Sequence, residues 1–321
     1  MLKSRFCFLL LFFFIPLSTT SAQIEGPNLS VVTSFSILED LVRQLGGEHV
    51  TVVNLVDRNS DAHTYRPVPS DAAAVQKADL VVFNGLGFEG WIKRLLENKG
   101  QRTRALEASR GIDVITINGE VDPHAWQSFT NVRLYIDNIS QTLIDLLPAH
   151  RDSLMQRQLS YLEALKGLEA ELIAQVAAIP RQTRIVVTSH DAFLYLGREF
   201  DIQFLAPLGL SYEAEASAED VALVVDQIRE RNVKALFLEN INNPRLLNSI
   251  ADESGVEIGG RLYSDALSKP DGPAGTYLGM MRHNVESLAK AFHSNTPTTV
   301  QKLSKQRESL SSKTGKENDN P

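Results

Sequence analysis

The chain has 321 residues, 43% hydrophobic and 22% charged, which is enough for two domains with ordinary globular cores. Its formal charge of −7 argues against a nucleic-acid partner and offers no basic patch to an anionic membrane. The single cysteine, Cys7, falls in an N-terminal leader, so the mature protein is expected to have neither a disulfide nor a thiolate metal site, and any metal must be held by histidine and carboxylate.

The leader opens with Lys3 and Arg5, continues through the apolar run FCFLLLFFFIPL and ends in the small residues STTSA. This is the pattern of a secretory signal peptide over residues 1–22, cleaved after Ala22, and the apolar run is too short to span a bilayer. Cleavage removes two cations and no acid, which brings the formal charge from −7 to −9. Cys7 precedes most of the apolar run and is poorly placed for a lipid-modified first residue.

An N-terminal α/β lobe is expected over residues 23–147. Leu29 to Thr33 reads as a strand, Ser36 caps a helix that stops at Gly46–Gly47, and Val50 to Val56 is a second strand. After the loop DRNSDAHTYRPVPSD come a short helix to Ala78, a buried strand Leu80 to Phe83 and the helix GFEGWIKRLLENKG. Gly111 to Ile117 is expected as a further strand, followed by VDPHAW and the helix SFTNVRLYIDNISQTLIDLLP. Residues 148–179 then form a long amphipathic helix, with Leu154, Leu159, Leu162, Leu165, Leu168, Leu172, Ile173 and Val176 recurring mostly three or four apart between Pro148 and Pro180. Its length suits a spine joining two lobes.

The alternation resumes in a C-terminal lobe over residues 180–294. Strands are expected at Arg184–Thr188, Ile202–Ala206, Lys234–Leu238 and Val256–Tyr263; helices begin in SHDAFLYLGREF, at the capping-box-like pair Ser217 and Asp220, at NNPRLLNSIADESG and at GTYLGMMRHNVESLAKAFHS. Strands alternating with helices imply parallel sheets. The fold class is therefore α/β, two small parallel-sheet lobes joined by one backbone helix. Residues 295–321 are polar, lack aromatics and are expected to be a disordered tail.

In open parallel sheets, ligands bind beyond the carboxyl ends of the strands. His63, His124, His190 and Asp265 all fall in connections at that edge, two from each side of the spine. Three imidazoles and a carboxylate suffice for the four-coordinate shell of a borderline cation such as zinc. Asp61 and Asp122 each precede a histidine by two residues and either orient its imidazole or cap a turn. Glu239 points to the same edge, and Trp126 and Tyr65 are candidates for cleft walls or for plain core. His49 and His150 read as solvated, and His283 and His293 as surface or hydrogen-bonded side chains of the last helix.

The stretches AHTYRPVPSD, DPHAW, SHDAF and YSDAL, in this order around a spine helix, resemble the metal-binding substrate-binding proteins of bacterial ABC transporters, the zinc/manganese-uptake, TroA-like family. The resemblance covers about residues 29–294 and implies a periplasmic, monomeric capture protein with metal in the interlobe cleft and a membrane permease as partner. It implies the ligands His63, His124, His190 and Asp265. Manganese-preferring members tend to carry glutamate at the position of His190, so imidazole there favours zinc, with manganese possible. The His-rich accessory loop of many zinc members is absent, since Arg104 to Val121 contains no histidine. A zinc hydrolase would need an open coordination position and a general base, for which Glu239 or Asp191 would be nominated, but no HExxH pattern appears. A binder of small organic ligands on the same scaffold would leave the histidines dispensable.

Overall fold

The computed structural model describes residues 28–211, 216–231, 233–241 and 243–294. The leader expected at 1–22 and the tail expected at 295–321 lie outside the described residues.

Four parallel strands build the first lobe: β1 (Leu29–Phe35), β2 (Val50–Val56), β3 (Leu80–Phe83) and β4 (Arg104–Glu107), in the order β2-β1-β3-β4. Alternation sorts their side chains to two covered faces. Val31, Phe35, Leu80 and Val82 enter the main core with α1 (Ser36–Gly46), while Val32 and Val81 pack with Val75 of α2 (Pro69–Lys77) and Ile92 and Leu95 of α3 (Ile92–Glu97). The strand expected at 111–117 does not join this sheet. Gly111 is a turn residue at φ +92°, and the fourth strand comes earlier, as an edge strand of which only Leu106 is buried, too short to show a clear period in sequence. An antiparallel hairpin of β5 (Thr116–Ile117) and β6 (Glu120–Val121) comes next.

Two helices then cross between the lobes, α4 (Phe129–Leu146) and the spine α5 (Arg151–Ala177). The 27 residues of α5 span about 40 Å. Its buried seam is Leu154, Tyr161, Leu165, Leu168, Leu172 and Val176; Leu159 and Ile173, expected on that stripe, are 59% and 49% exposed because they flank a seam only one residue wide per turn. His49 and His150, expected to be solvated, instead stack on each other with ring centroids 4.0 Å apart, and His49 Nε2 faces the Ser153 hydroxyl at 3.0 Å.

The second lobe repeats the first in outline. Strands β7 (Ile185–Val187), β8 (Gln203–Leu205), β9 (Ala235–Glu239) and β10 (Ile258–Leu262) form a parallel sheet ordered β10-β9-β7-β8. Helices α6 (Leu194–Phe200), α7 (Ala218–Arg231), α8 (Arg245–Ser254) and α9 (Tyr277–Ser294) accompany it. Val187, Leu236, Val224, Ile228, Leu247 and Ile250 form a satellite core under α7 and α8, while Val186, Ala235 and Phe237 face the main core shared with α5 and α9. Ser217 and Asp220 form the capping box: the Asp220 amide donates to Ser217 Oγ at 3.1 Å and the Ser217 amide to Asp220 Oδ2 at 3.0 Å.

Polar ties fix the lobes to each other. Glu199 of α6 reaches the first turn of α4, accepting the Phe129 and Thr130 amides at 2.9 Å each and the Ser128 hydroxyl at 2.5 Å. Arg58 donates to the Ser268 and Gly275 carbonyls at 3.0 and 2.8 Å, the Asn59 amide to Leu267 O at 3.0 Å, and the Leu267 amide to Ser36 Oγ at 2.9 Å. The segment after β10 is thereby strapped to the first lobe.

Candidate metal centre

Each of the four residues arrives on a differently built loop. His63 lies in the connection after β2, where Asp61 caps the turn by accepting the His63 amide and the Thr64 hydroxyl, both at 2.8 Å. Asp61 therefore shapes the backbone and makes no bond to the imidazole. His124 leaves the β5–β6 hairpin rather than a strand of the parallel sheet; Asp122 Oδ1 accepts its amide at 2.9 Å and faces its Nδ1 at 2.7 Å. His190 follows β7, and its Nδ1 lies 2.7 Å from Oε2 of Glu239, the last residue of the neighbouring β9. Glu239 Oε1 also accepts the Ser189 and His190 amides at 2.8 and 3.1 Å. Asp265 follows β10.

A carboxylate on Nδ1 fixes the tautomer and leaves Nε2 as the donor toward the cleft. In this way Asp122 and Glu239 aim His124 and His190 at one point. One donor atom from each of His63, His124, His190 and Asp265 lies within 4.8 Å of every other. The Nε2 atoms of His63 and His124 are 3.2 Å apart. Asp265 Oδ2 is 3.6 Å from His63 Nε2 and 3.3 Å from His190 Nε2, and Oδ1 is 3.5 Å from His124 Nε2. A tetrahedral ion with bonds of about 2.0–2.1 Å requires donors about 3.3–3.4 Å apart, so these separations match.

Burial sharpens the chemistry. The side chains of His124, His190 and Asp265 are fully buried, and that of His63 is 6% exposed, which makes it the side of the centre nearest solvent. Among the described residues neither oxygen of Asp265 has a hydrogen-bond partner of good geometry, an expensive arrangement for a buried carboxylate unless a cation takes that role. Burial pushes His63 down to about 3, so its imidazole is neutral and available as a donor. Burial also opposes charge on His190, but Glu239 and Asp265 outweigh it and hold this imidazole well above its ordinary value. Burial opposes the charge of Asp265 too, but His190 first and then His124 outweigh it and keep the carboxylate ionised down to about 2. A proton on His190 thus faces the carboxylates of Glu239 and Asp265 as countercharge.

The wall is aromatic. Phe88 meets the His63 ring edge-on at 4.5 Å, and Trp126 meets the His124 ring at 5.3 Å. Trp126 is fully buried and donates from Nε1 to Ser264 O at 2.9 Å, which pins the residue before Asp265. Tyr65 bonds Asp71 at 2.8 Å and packs on Trp91, away from the four donors. Sequence pattern does not single out Phe88 or its neighbour Glu89; their one signal is the NGLGFE loop. In that loop residues 85, 86 and 87 all have positive φ, and a Cβ at Gly85 would sit 2.2 Å from Glu107 Oε1. The Glu89 carboxylate accepts the Asn84 and Gly85 amides at 2.7 and 3.2 Å and Ser34 Oγ at 2.5 Å. Asn84 in turn donates to Pro123 O at 3.0 Å, next to His124.

Comparison with known proteins accords with this geometry. Residues 31–291 match the family described as Zinc-uptake complex component A periplasmic. The chain is 34% identical over 275 residues to the manganese-binding lipoprotein MntA of Halalkalibacterium halodurans, covering 85% of this chain and 91% of that protein. It is 30% identical to the iron-binding protein YfeA of Yersinia pestis, covering 86% and 92%. Among solved structures, the periplasmic zinc binding protein TroA of Treponema pallidum superposes with a TM-score of 0.80 at 27% identity, covering 83% of this chain and 99% of the other. A manganese-bound periplasmic metal binding protein of Candidatus Liberibacter asiaticus gives 0.76 at 30% identity, covering 83% and 100%. The chain belongs to this family of metal-binding substrate-binding proteins, which deliver divalent cations to the membrane permease of an ABC transporter.

Proposed function

We propose that the protein captures zinc outside the cytoplasmic membrane through Nε2 of His63, His124 and His190 and the carboxylate of Asp265, and surrenders it to its permease. The observation that carries this reading is that one donor atom of each of the four residues lies within 4.8 Å of the others, four of the separations being 3.2 to 3.6 Å, around a buried carboxylate that has no hydrogen-bond partner of good geometry among the described residues. Three imidazole donors favour zinc over manganese, since affinity at nitrogen-rich sites rises along the divalent series toward copper and stays higher at zinc. A shell of four protein donors suits capture of the ion and leaves no position for a reacting water. The family description, a component of a zinc-uptake complex, favours the same choice.

A manganese reading has one observation of its own. Both oxygens of Asp265 face imidazoles, Oδ1 toward His124 and Oδ2 toward His63 and His190, so bidentate binding would give five donors and suit a larger, harder ion. Relatives named for manganese and iron point the same way. Competitive titration separates the readings: zinc displacing manganese at equal free concentration supports the first, and manganese holding its place against zinc supports the second.

Release depends on how Asp265 is held. Its segment is fixed by the Leu267, Asn59 and Arg58 bonds to the first lobe and by the Trp126 bond to Ser264. The continuous spine limits hinge opening, so exchange is expected through local loosening of this segment rather than wide lobe separation. Small-angle scattering of the apo and loaded protein checks this; a radius of gyration that changes by more than about 1 Å would contradict it.

A further inference from the structure

The chain leaving β9 reaches three of the four ligand loops. Glu239 ends the strand and holds His190 through its ring and its amide. Asn240, the next residue, serves the other two loops. Its Nδ2 donates to the Ala266 carbonyl at 3.0 Å and to Asn59 Oδ1 at 3.1 Å, while its backbone N–H donates to Leu262 O at 3.2 Å. Ala266 follows Asp265, and Asn59 lies in the connection after β2 that carries His63. A single side-chain amide therefore joins the second lobe, the Asp265 segment and the first lobe.

These bonds help to bracket Asp265. The Ser264 carbonyl before it accepts from Trp126 Nε1 at 2.9 Å and from Gln127 Nε2 at 2.8 Å. The peptide unit between Ala266 and Leu267 is held at both ends, its oxygen by Asn240 and its N–H by Ser36 Oγ at 2.9 Å. Peptide units are planar, so with these two fixed the carboxylate is placed by the dihedrals of Asp265 and Ala266 alone. Trp126, Gln127 and Ser36 belong to the first lobe; Asn240 supplies the hold from the second. Its amide orientation follows from its partners, because a flipped group would set Oδ1 against two oxygens. Among the described residues Oδ1 is buried without a hydrogen-bond partner, a cost that leucine of similar size would avoid. What asparagine supplies here and leucine cannot is the pair of bonds to Asn59 and Ala266.

We propose that Asn240 is a positioning residue for the metal centre: it clasps the two lobes at Asn59 and, through Ala266, holds the Asp265 carboxylate against the three imidazoles. Breaking its two bonds frees Asp265 to swing away and release the ion. Asn240 acts through Asp265 and is not itself a ligand. The inference rests on the proposed ligand role of Asp265 and names the group whose loosening would set the rate of release.

The test is zinc dissociation from the full mature chain, followed by stopped flow against excess chromophoric chelator, in the wild type, Asn240→Ala and Asn59→Gly. Glycine is chosen at residue 59 because its φ is +58°, which glycine adopts freely. Asn240→Ala should speed dissociation by about tenfold or more, and Asn59→Gly, which leaves Ala266 bonded, by about two- to fivefold. Combining the two should change the Asn240→Ala rate by less than about twofold, since Asn59 acts through that amide. Equilibrium competition for zinc separates positioning from general loosening. Asn240→Ala should weaken binding by about tenfold in the wild type but by less than about twofold in an Asp265→Ala background. Dissociation from Asn240→Ala at the wild-type rate overturns the proposal. So does an equal loss of affinity in both backgrounds, which would make Asn240 a structural residue only. A wild type that holds no zinc overturns the clasp together with the reading of the centre, whereas one zinc per chain with Asn240→Ala unchanged overturns the clasp alone.

Discussion

Glu89 is a carboxylate placed where ionisation is costly, and replacing it by glutamine should change how stability depends on pH. Its side chain is fully enclosed, and burial pushes its pKa from 4.5 up to about 7 despite the bonds from Ser34, Asn84 and Gly85. Between those two values the folded protein holds a proton that the unfolded chain has released. Stability from this group is therefore fully present below about pH 4.5 and is lost as pH rises through about 7, a loss of about 3 kcal/mol. Glutamine keeps a carbonyl acceptor for Ser34 and Asn84 but turns an amide NH₂ toward the Gly85 amide, which costs about 1–3 kcal/mol at every pH. Glu89→Gln should thus be the less stable protein in acid and should equal or exceed the wild type above pH ~7. Urea unfolding of both metal-free proteins across this range measures the difference directly. Two stability curves that run parallel would refute the reasoning, because they would mean that Glu89 is already ionised in the folded state.

Other expectations rest on the same contacts. Asp122→Asn and Glu239→Gln leave the four donors in place but release the imidazoles they aim, so metal affinity should fall by about 10–100-fold in each; competition against a chromophoric chelator checks this, and unchanged affinity would contradict it. Because His190 carries a proton in the metal-free protein and must lose it on loading, affinity should tighten with rising pH, by up to about tenfold per unit while one proton is displaced. An affinity flat across neutral pH would show that no proton is released. Glu199→Ala removes three bonds to the first turn of α4 and should destabilise the protein by about 1–3 kcal/mol in urea unfolding.

That these four residues converge was legible in the sequence because the stretches AHTYRPVPSD, DPHAW, SHDAF and YSDAL follow one another in a fixed order around the spine helix, although the hairpin before His124 carries no apolar period. The partners of two of them were legible only as neighbours. Asp61 and Asp122 stand at the same spacing from a histidine, yet only Asp122 reaches an imidazole; the choice depends on whether the backbone between them lets Oδ1 meet both N and Nδ1, which spacing alone does not decide. The β4 strand was misplaced because RALE buries a single side chain, and the apolar residues at 112, 114, 115 and 117 mimic a strand while lying largely in loop and a two-residue hairpin arm. Leu159 and Ile173 looked like core because a hydrophobic residue beside a seam has the same spacing as one within it. Glu89 was invisible for a different reason. Its burial depends on three successive left-handed residues, which bend the chain so that its carboxylate faces the Asn84 and Gly85 amides.

The most direct measurement is metal content and competitive titration of the mature protein beside His190→Ala. One zinc per chain in the wild type, retained against excess manganese and lost or greatly weakened in the variant, is the expected result. A folded wild-type protein that holds no stoichiometric divalent ion, or a variant that binds as tightly as the wild type, would contradict the assignment of His63, His124, His190 and Asp265 as a metal centre.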